Sequence, residues 1–134
     1  ITLVPRKTEK AAPVIFSSLQ ELLHQNILLV GTPLPIPVPG NSEPDVALID
    51  LDMLHFPLEL RPWIEGDHFQ PLGMHGTQKV SDFLTQKKVD SSTRKNQQIL
   101  ADQLGIVWIV GHRIAHRVRI THGTKSALTI RKKN

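Results

Sequence analysis

Ile99-Leu100-Ala101-Asp102-Gln103-Leu104-Gly105-Ile106-Val107-Trp108-Ile109-Val110 contains two apolar runs of strand length, Ile99–Ala101 and Ile106–Val110. Runs this short predict β-strands. Downstream, Arg117–Thr121 and Ala127–Ile130 read as two more, and the basic end Arg131-Lys132-Lys133-Asn134 is expected in solvent. Upstream, Val46–Leu51 and Leu58–Arg61 are strand-like, with Pro57 and Pro62 breaking either side of the second. Pro62–Gly76 carries three Gly and two Pro and is expected to be an ordered, turn-rich loop. Thr77–Lys87 predicts a helix capped by Thr77, with Val80, Phe83 and Leu84 on one apolar stripe. Asp90-Ser91-Ser92 caps a second short helix that runs to about Gln97.

The first third has a different texture. Residues 1–13 are polar and basic with Pro5 and Pro13, a frayed lead-in or the tail of another domain. Ser17–His24 predicts a short helix, because Ser18 and Glu21 have capping-box spacing and Leu19, Leu22 and Leu23 share one stripe. Ile27–Val30 follows as a strand. Thr32–Gly40 then places Pro at 33, 35, 37 and 39. Alternate residues of an extended chain point their N–H groups to one edge, so these prolines strip donors from a single edge. An edge strand that resists further pairing is one reading, and a polyproline linker or ligand the other. Asn41–Asp45 is a loop and a candidate boundary. The expected organisation is an arm over residues 1–45 and a domain over 46–134. The fold class is α+β, with mainly antiparallel β sheets and two or three short helices.

Composition sets limits. The 134 residues suit one domain, and 40% hydrophobic content is enough for a core that few aromatics (4%) can supply, so Leu, Ile and Val must build it. Cys is absent, which removes disulfides, thiol catalysis and Cys-based zinc sites and suits a reducing cytoplasm. No apolar run approaches the roughly 18 residues of a membrane span, and the start lacks a signal peptide's apolar stretch. Because it begins at Ile1, the chain is expected to be a piece of a longer protein.

The net charge of +4 conceals an asymmetry. Residues 1–60 hold three bases against seven acids, −4, and residues 61–134 thirteen bases against five acids, +8. Such a basic half suits a polyanion, nucleic acid before anionic membrane, or else serves as a solubilising surface. Lys79, Lys87, Lys88, Arg94 and Lys95 fall on or beside the two predicted helices, while Arg113, Arg117 and Arg119 share one parity of the predicted strand region. Three guanidinium groups along about 20 Å of strand would suit the phosphates of a structured duplex. Two Trp and no Tyr make a single-strand stacking platform a poor fit.

Catalytic constellations are thin. No G-x-x-x-x-G-K-[ST] or G-x-G-x-x-G loop occurs. His112 and His116 stand four apart, which on a strand is about 13 Å and too far for one ion. Asp50-x-Asp52 and Glu65-Gly66-Asp67 read as a strand end and a turn. No catalytic residue and no metal ligand is expected.

A composite pattern runs through Leu60-Arg61-Pro62-Trp63-Ile64-Glu65-Gly66-Asp67-His68-Phe69-Gln70-Pro71-Leu72-Gly73-Met74-His75-Gly76, then Lys79-Val80-Ser81-Asp82-Phe83-Leu84, then Trp108-Ile109-Val110-Gly111-His112-Arg113-Ile114. In order and spacing it resembles the C-terminal region of bacterial tRNA(Ile)-lysidine synthase over Pro57–Ile130, in the version of the Bacteroidetes lineage. The resemblance implies a domain like those of lysidine synthase and the phenylalanyl-tRNA synthetase β-chain. It implies a parent enzyme, an ATP-dependent ligase, that attaches lysine to the wobble cytidine of isoleucine tRNA in the cytoplasm. ATP with magnesium, and lysine, belong to that parent's catalytic domain, whose Ser-Gly-Gly-x-Asp-Ser signature is absent here. This chain would bind isoleucine tRNA on its acceptor-stem side, through Lys79, Lys87, Lys88, Arg94, Arg113, Arg117 and Arg119, and would catalyse nothing alone. Residues 1–45 would connect to the parent's middle domain, and a homodimer is a further expectation.

Gly66, Asp67, Phe69, Pro71, Gly73, Met74, Gly76, Ser81, Asp82, Phe83 and Gly111 are expected to be structural: the glycines in turns, Met74 and Phe83 in the core, Asp67 and Asp82 as local caps. Three departures stand out. Gln78 replaces the first Lys of a paired Lys-Lys, Ala115 replaces an Asp, and Arg94–Leu100 keeps little of an R-x-R-x-P-L-L stretch. A protein-interaction or self-association module using the acidic half and the proline segment is the competing reading, and a structural domain inside a larger synthetase is a third.

Overall fold

The computed structural model describes residues 12–35 and 46–133. Its centre is a hairpin built from the two apolar runs. β8 (Gln98–Asp102) pairs antiparallel with β9 (Gly105–Ile109), Ala101 opposite Ile106 and Asp102 opposite Gly105. Ile99, Leu100, Val107, Trp108 and Ile109 are all fully buried. Both faces of these strands are covered, which is why the sequence shows continuous apolar runs instead of alternation. β5 (Leu58–Pro62) pairs with β8, β1 (Val14–Phe16) with β5, and β10 (Arg113–Ile114) with β9, in the order β1-β5-β8-β9-β10.

A second sheet forms around β11 (Ser126–Lys132). β4 (Val46–Asp50) lies along one edge. β2 (Leu28–Val30) and β3 (Leu34–Pro35) pair with β11 in nearly continuous register, and so share its other edge. Between them the Gly31 N–H donates to the Thr129 carbonyl at 3.0 Å. A Cβ at Gly31 would sit 2.6 Å from Thr129 Oγ1, so this crossing demands glycine. Leu34–Pro35 thus lie in a sheet-edge strand, and residues 36–40 of the proline segment fall outside the described residues. The segment expected as an arm contributes a strand to each sheet. A third, two-stranded ladder joins β6 (His68–Phe69) to β7 (Gln78–Lys79).

Three short helices complete an α+β architecture of mainly antiparallel sheets. α1 (Leu19–His24) is capped by Ser18, whose Oγ accepts from the Glu21 N–H. The return bond runs to Glu21 Oε1 from the N–H of Ser17, one residue further out than a standard box. α3 (Ser91–Lys95) is capped by Asp90, which accepts from the Thr93 N–H at 2.8 Å. Among the described residues no helix is long and apolar enough to cross a membrane.

Four expectations need correction. α2 spans Val80–Gln86, because Gln78 and Lys79 are committed to β7; its N-cap is Lys79, without a side-chain bond, and Thr77 does not cap it. Arg117–Thr121 is not a strand: β10 ends at Ile114 and a 3-10 turn, His116–Val118, buries Val118. β11 runs on through Arg131 and Lys132, exposed but paired with Leu29 and Leu28. Met74 is 37% exposed and sits outside the core, whereas Phe83 is 2% exposed.

α2 ends in a Schellman arrangement: the Val89 N–H donates to the Leu84 carbonyl and the Lys88 N–H to that of Thr85. Lys88 occupies the left-handed position with φ 59°. Glycine carries no Cβ penalty there, so Lys88→Gly is expected to stabilise the fold by about 0.5–1 kcal/mol, read as a higher urea midpoint at unchanged slope.

Candidate nucleic-acid interface

The amphipathic stripe of α2 buries Val80, Phe83 and Leu84. Phe83 is only 2% exposed, and several elements converge on its ring. Phe69 meets it edge-on with centroids 5.4 Å apart, and His112 does the same at 6.1 Å. Lys87 Nζ lies 5.7 Å and Arg113 Cζ 5.9 Å from the ring centroid, both within cation–π range. His112 stands in the turn between β9 and β10, where its N–H donates to the Ile109 carbonyl at 2.8 Å. Gly111, with φ 84°, makes that turn possible. Burial holds the His112 imidazole below its ordinary pKa, and the charges of Lys87 and Lys132 push it the same way. Lys87, Arg113 and Lys132 form no ion pair among the described residues. A half-buried imidazole and two cations without ion-pair partners therefore gather around the Phe83 ring, and the Lys132 charge acts on the same imidazole.

The other expected contacts are placed differently. Lys79 and Lys88 are exposed, Lys79 opposite His68 in the β6–β7 ladder. Arg94 is a clamp: its guanidinium donates to the Ser81 carbonyl at 2.9 Å and Thr85 Oγ1 at 3.0 Å and lies 5.5 Å from the Trp63 ring centroid. Trp63 Nε1 donates back to the Arg94 carbonyl at 2.9 Å. Arg119 donates to the His116 carbonyl at 3.0 Å. Arg117 donates to both Asp102 oxygens, at 2.6 and 3.2 Å, and to the carbonyls of Gly105 and Ile106. The common strand face expected for Arg113, Arg117 and Arg119 is replaced by the 3-10 turn.

Two bidentate ion pairs escaped the sequence reading. Arg61 donates to both oxygens of Asp67 at 2.9 Å, closing the Ile64–Asp67 turn in which Gly66 takes φ 97°. Burial raises the Asp67 carboxyl, but the Arg61 and Ile64 hydrogen bonds outweigh it and leave the pKa below the ordinary value. At Asp102 burial likewise opposes, and the Arg117 bonds and the His55 and Leu104 N–H groups win. An open cleft of about 570 Å³ lies between the two pairs, with Glu59 also in its wall. Its arginines are neutralised by carboxylates, unlike the cations over Phe83.

The remaining motif positions lie as follows, with Asp82 making no capping bond among the described residues. Phe69 is buried, Pro71 bridges Ala115, the Ser81 carbonyl holds Arg94, Asp82 is exposed in the first turn of α2, and Gly73 and Gly76 also have positive φ. The departures have local reasons. Ala115, 3% exposed, donates its N–H to the Val107 carbonyl where a carboxylate would be buried. Gln78 Nε2 donates to Gln86 Oε1. Gln97 Nε2 donates to the carbonyls of Gln98 and Val110, tying α3 to the central sheet.

Residues 58–130, just over half of the chain, match the family described as TilS substrate C-terminal domain. The chain belongs to that family. The tRNA(Ile)-lysidine synthase of Parabacteroides distasonis is 36% identical over 110 residues, which are 82% of this chain and 24% of the relative. That of Bacteroides thetaiotaomicron is 37% identical over 64% of this chain and 20% of the relative. Both agree with the Bacteroidetes-like version of the pattern. The matched part of this chain thus spans about a quarter of the length of these relatives. A crystal structure of a TilS C-terminal domain superposes with a TM-score of 0.67 at 19% identity, covering 80% of this chain and 84% of that one. An N-terminal fragment of the phenylalanyl-tRNA synthetase β-subunit from Pyrococcus horikoshii gives 0.51 at 17% identity, over 63% of this chain and 27% of that one. Both show the fold that the resemblance implied.

Asp102 accepts five hydrogen bonds with no side-chain surface exposed, so Asp102→Ala is expected to cost about 2–4 kcal/mol in urea unfolding at pH 7. Because Asp67 and Asp102 both have depressed pKa values, the stability they lend is fully present above the ordinary carboxyl value of 3.8. It is lost as pH falls through their lowered values. Asp102→Asn should flatten that acid limb, and a limb as steep as the parent's would remove Asp102 as its source.

Proposed function

We propose that this chain is the tRNA-recognition portion of a tRNA(Ile)-lysidine synthase and binds isoleucine tRNA on its acceptor-stem side. Residues 46–134 form the C-terminal-type domain, to which the first segment adds β1, β2 and β3, and the chain ahead of β1 would lead toward the parent's preceding domain. The observation that carries the reading is the pair of cations without ion-pair partners, Lys87 and Arg113, over the Phe83 ring, with the Lys132 charge acting on the adjoining His112, on a domain of this family. Cations without carboxylate partners are the ones that release counterions when they meet phosphate. Lys79 and Lys88 extend the same basic surface as backbone contacts. Arg94, Arg117 and Arg119 act mainly by holding the scaffold, with any exposed guanidinium edge reaching RNA second.

The attachment of lysine to the wobble cytidine, with ATP, magnesium and lysine as reactants, is assigned to the rest of the parent, which is the other partner of this chain in the cytoplasm. The residues here do not fit those groups: the sequence has no phosphate-cradling glycine loop, and among the described residues no three His, Asp or Glu gather as ion ligands. No step of that chemistry is derived from this chain.

Anisotropy titrations of the chain with isoleucine tRNA and an unrelated tRNA across a salt series test the proposal. Binding should fall steeply with salt, and Lys87→Ala and Arg113→Ala should each reduce the log–log slope by about one unit or less while leaving the fold intact. No binding to either tRNA at low salt would overturn it. Sedimentation of the same samples reads the expected homodimer.

A further inference from the structure

His112 lies in the Trp108–Ile114 stretch of the family pattern but is not among the residues the resemblance assigns to RNA, and its surroundings are unusual for a histidine. From α2 it faces the Phe83 ring and the Lys87 ammonium, from β11 the Lys132 ammonium, and in its own turn it precedes Arg113. Among the described residues no carboxylate acts on it. A histidine among cations, with its ring edge-on against an aromatic, stays neutral while the site is empty. A phosphate brought among Lys87, Arg113 and Lys132 would reverse that balance, because an anion at hydrogen-bond distance favours the charged imidazolium. The imidazolium would then add a donor to a phosphate oxygen.

We propose that His112 is a further phosphate contact of this surface, and that RNA binding by the Lys87–Arg113–Lys132 cluster takes up a proton at His112. This rests on the proposed function and adds a property that a merely basic surface would lack. The proton comes from solvent, goes to the free imidazole nitrogen and leaves when the RNA dissociates; no bond to the RNA forms or breaks. The sign follows from linkage. The bound state holds its proton to higher pH than the free state, so affinity rises as pH falls between the bound-state and free-state pKa values and levels off below both. The lower of these limits lies under the ordinary histidine value of 6.5.

The test is affinity for isoleucine tRNA between pH 5.2 and 8.0 (about the histidine range) at fixed ionic strength, for the parent chain, His112→Gln and Lys132→Gln. The parent should gain affinity toward acid pH, by up to about tenfold per pH unit at the steepest point, and His112→Gln should lack that gain. Lys132→Gln should bind about two- to fivefold more weakly at neutral pH and keep the pH dependence. In NMR titrations the His112 ring pKa should rise when a duplex RNA of the acceptor-stem sequence is added. Salt-sensitive binding with the same pH profile in the parent and His112→Gln would overturn this inference and leave the proposed function standing. An RNA-independent His112 pKa would overturn it even if His112→Gln were misfolded. Absence of RNA binding at every pH would overturn both.

Discussion

The carboxylate of Asp102 is where the domain is tied together. It accepts from the N–H groups of Leu104 and Gly105 at the tip of the β8–β9 hairpin, from the N–H of His55 ahead of β5, and from Arg117 in the 3-10 turn after β10. Three segments, two of them distant from Asp102 in sequence, therefore converge on two oxygen atoms. A buried carboxylate is tolerated only when its lone pairs are filled, and here the filling itself dictates geometry. The hairpin tip, the entry to β5 and the exit from β10 cannot shift independently. Asp67 repeats the device on a smaller scale, closing one turn against Arg61 and the Ile64 N–H. Both ends of the cleft between Asp67 and Asp102 are thus held by compensated charge.

This explains which parts of the fold could be read along the chain. The Ser18 and Asp90 caps were legible because a cap is a contract between residues three apart, and both side chains accept the expected N–H. The central strands were legible because burial on both faces leaves an apolar run. Arg117–Thr121 misled for the opposite reason. Alternating Arg residues mimic a strand's polar face, yet Arg117 answers to Asp102, fifteen positions earlier, and no local period encodes that pairing. Thr77 had the right chemistry for a cap, but the two-residue ladder between His68–Phe69 and Gln78–Lys79 claimed the backbone first. Met74 was assigned to the core from its place in a motif, which says nothing about the direction of a side chain in an irregular loop.

The candidate site was half legible. Charge asymmetry and the family pattern pointed to the basic half, and Lys87 and Arg113 do meet there. What sequence could not rank was compensation. Arg61, Arg94 and Arg117 look as available as Arg113 in a sequence, but each is occupied by carboxylates, carbonyls or an indole. Lys132 and His112 gave no binding signal, since their contribution depends on β11 bringing the Lys132 charge to bear on the imidazole in the β9–β10 turn.

Phe83 connects these levels. Its ring closes the core against Phe69 and also carries Lys87, Arg113 and His112 around it. Cations over an aromatic ring are partly desolvated by apolar surface yet not neutralised, so they keep their charge while losing some freedom to wander. A salt bridge would fix them as well but would spend their charge. The domain uses both solutions at different places: carboxylates where the chain must be locked, and an aromatic ring where positive charge must remain available. That division follows from side-chain chemistry alone, and it separates arginines bound to carboxylates from cations left without them.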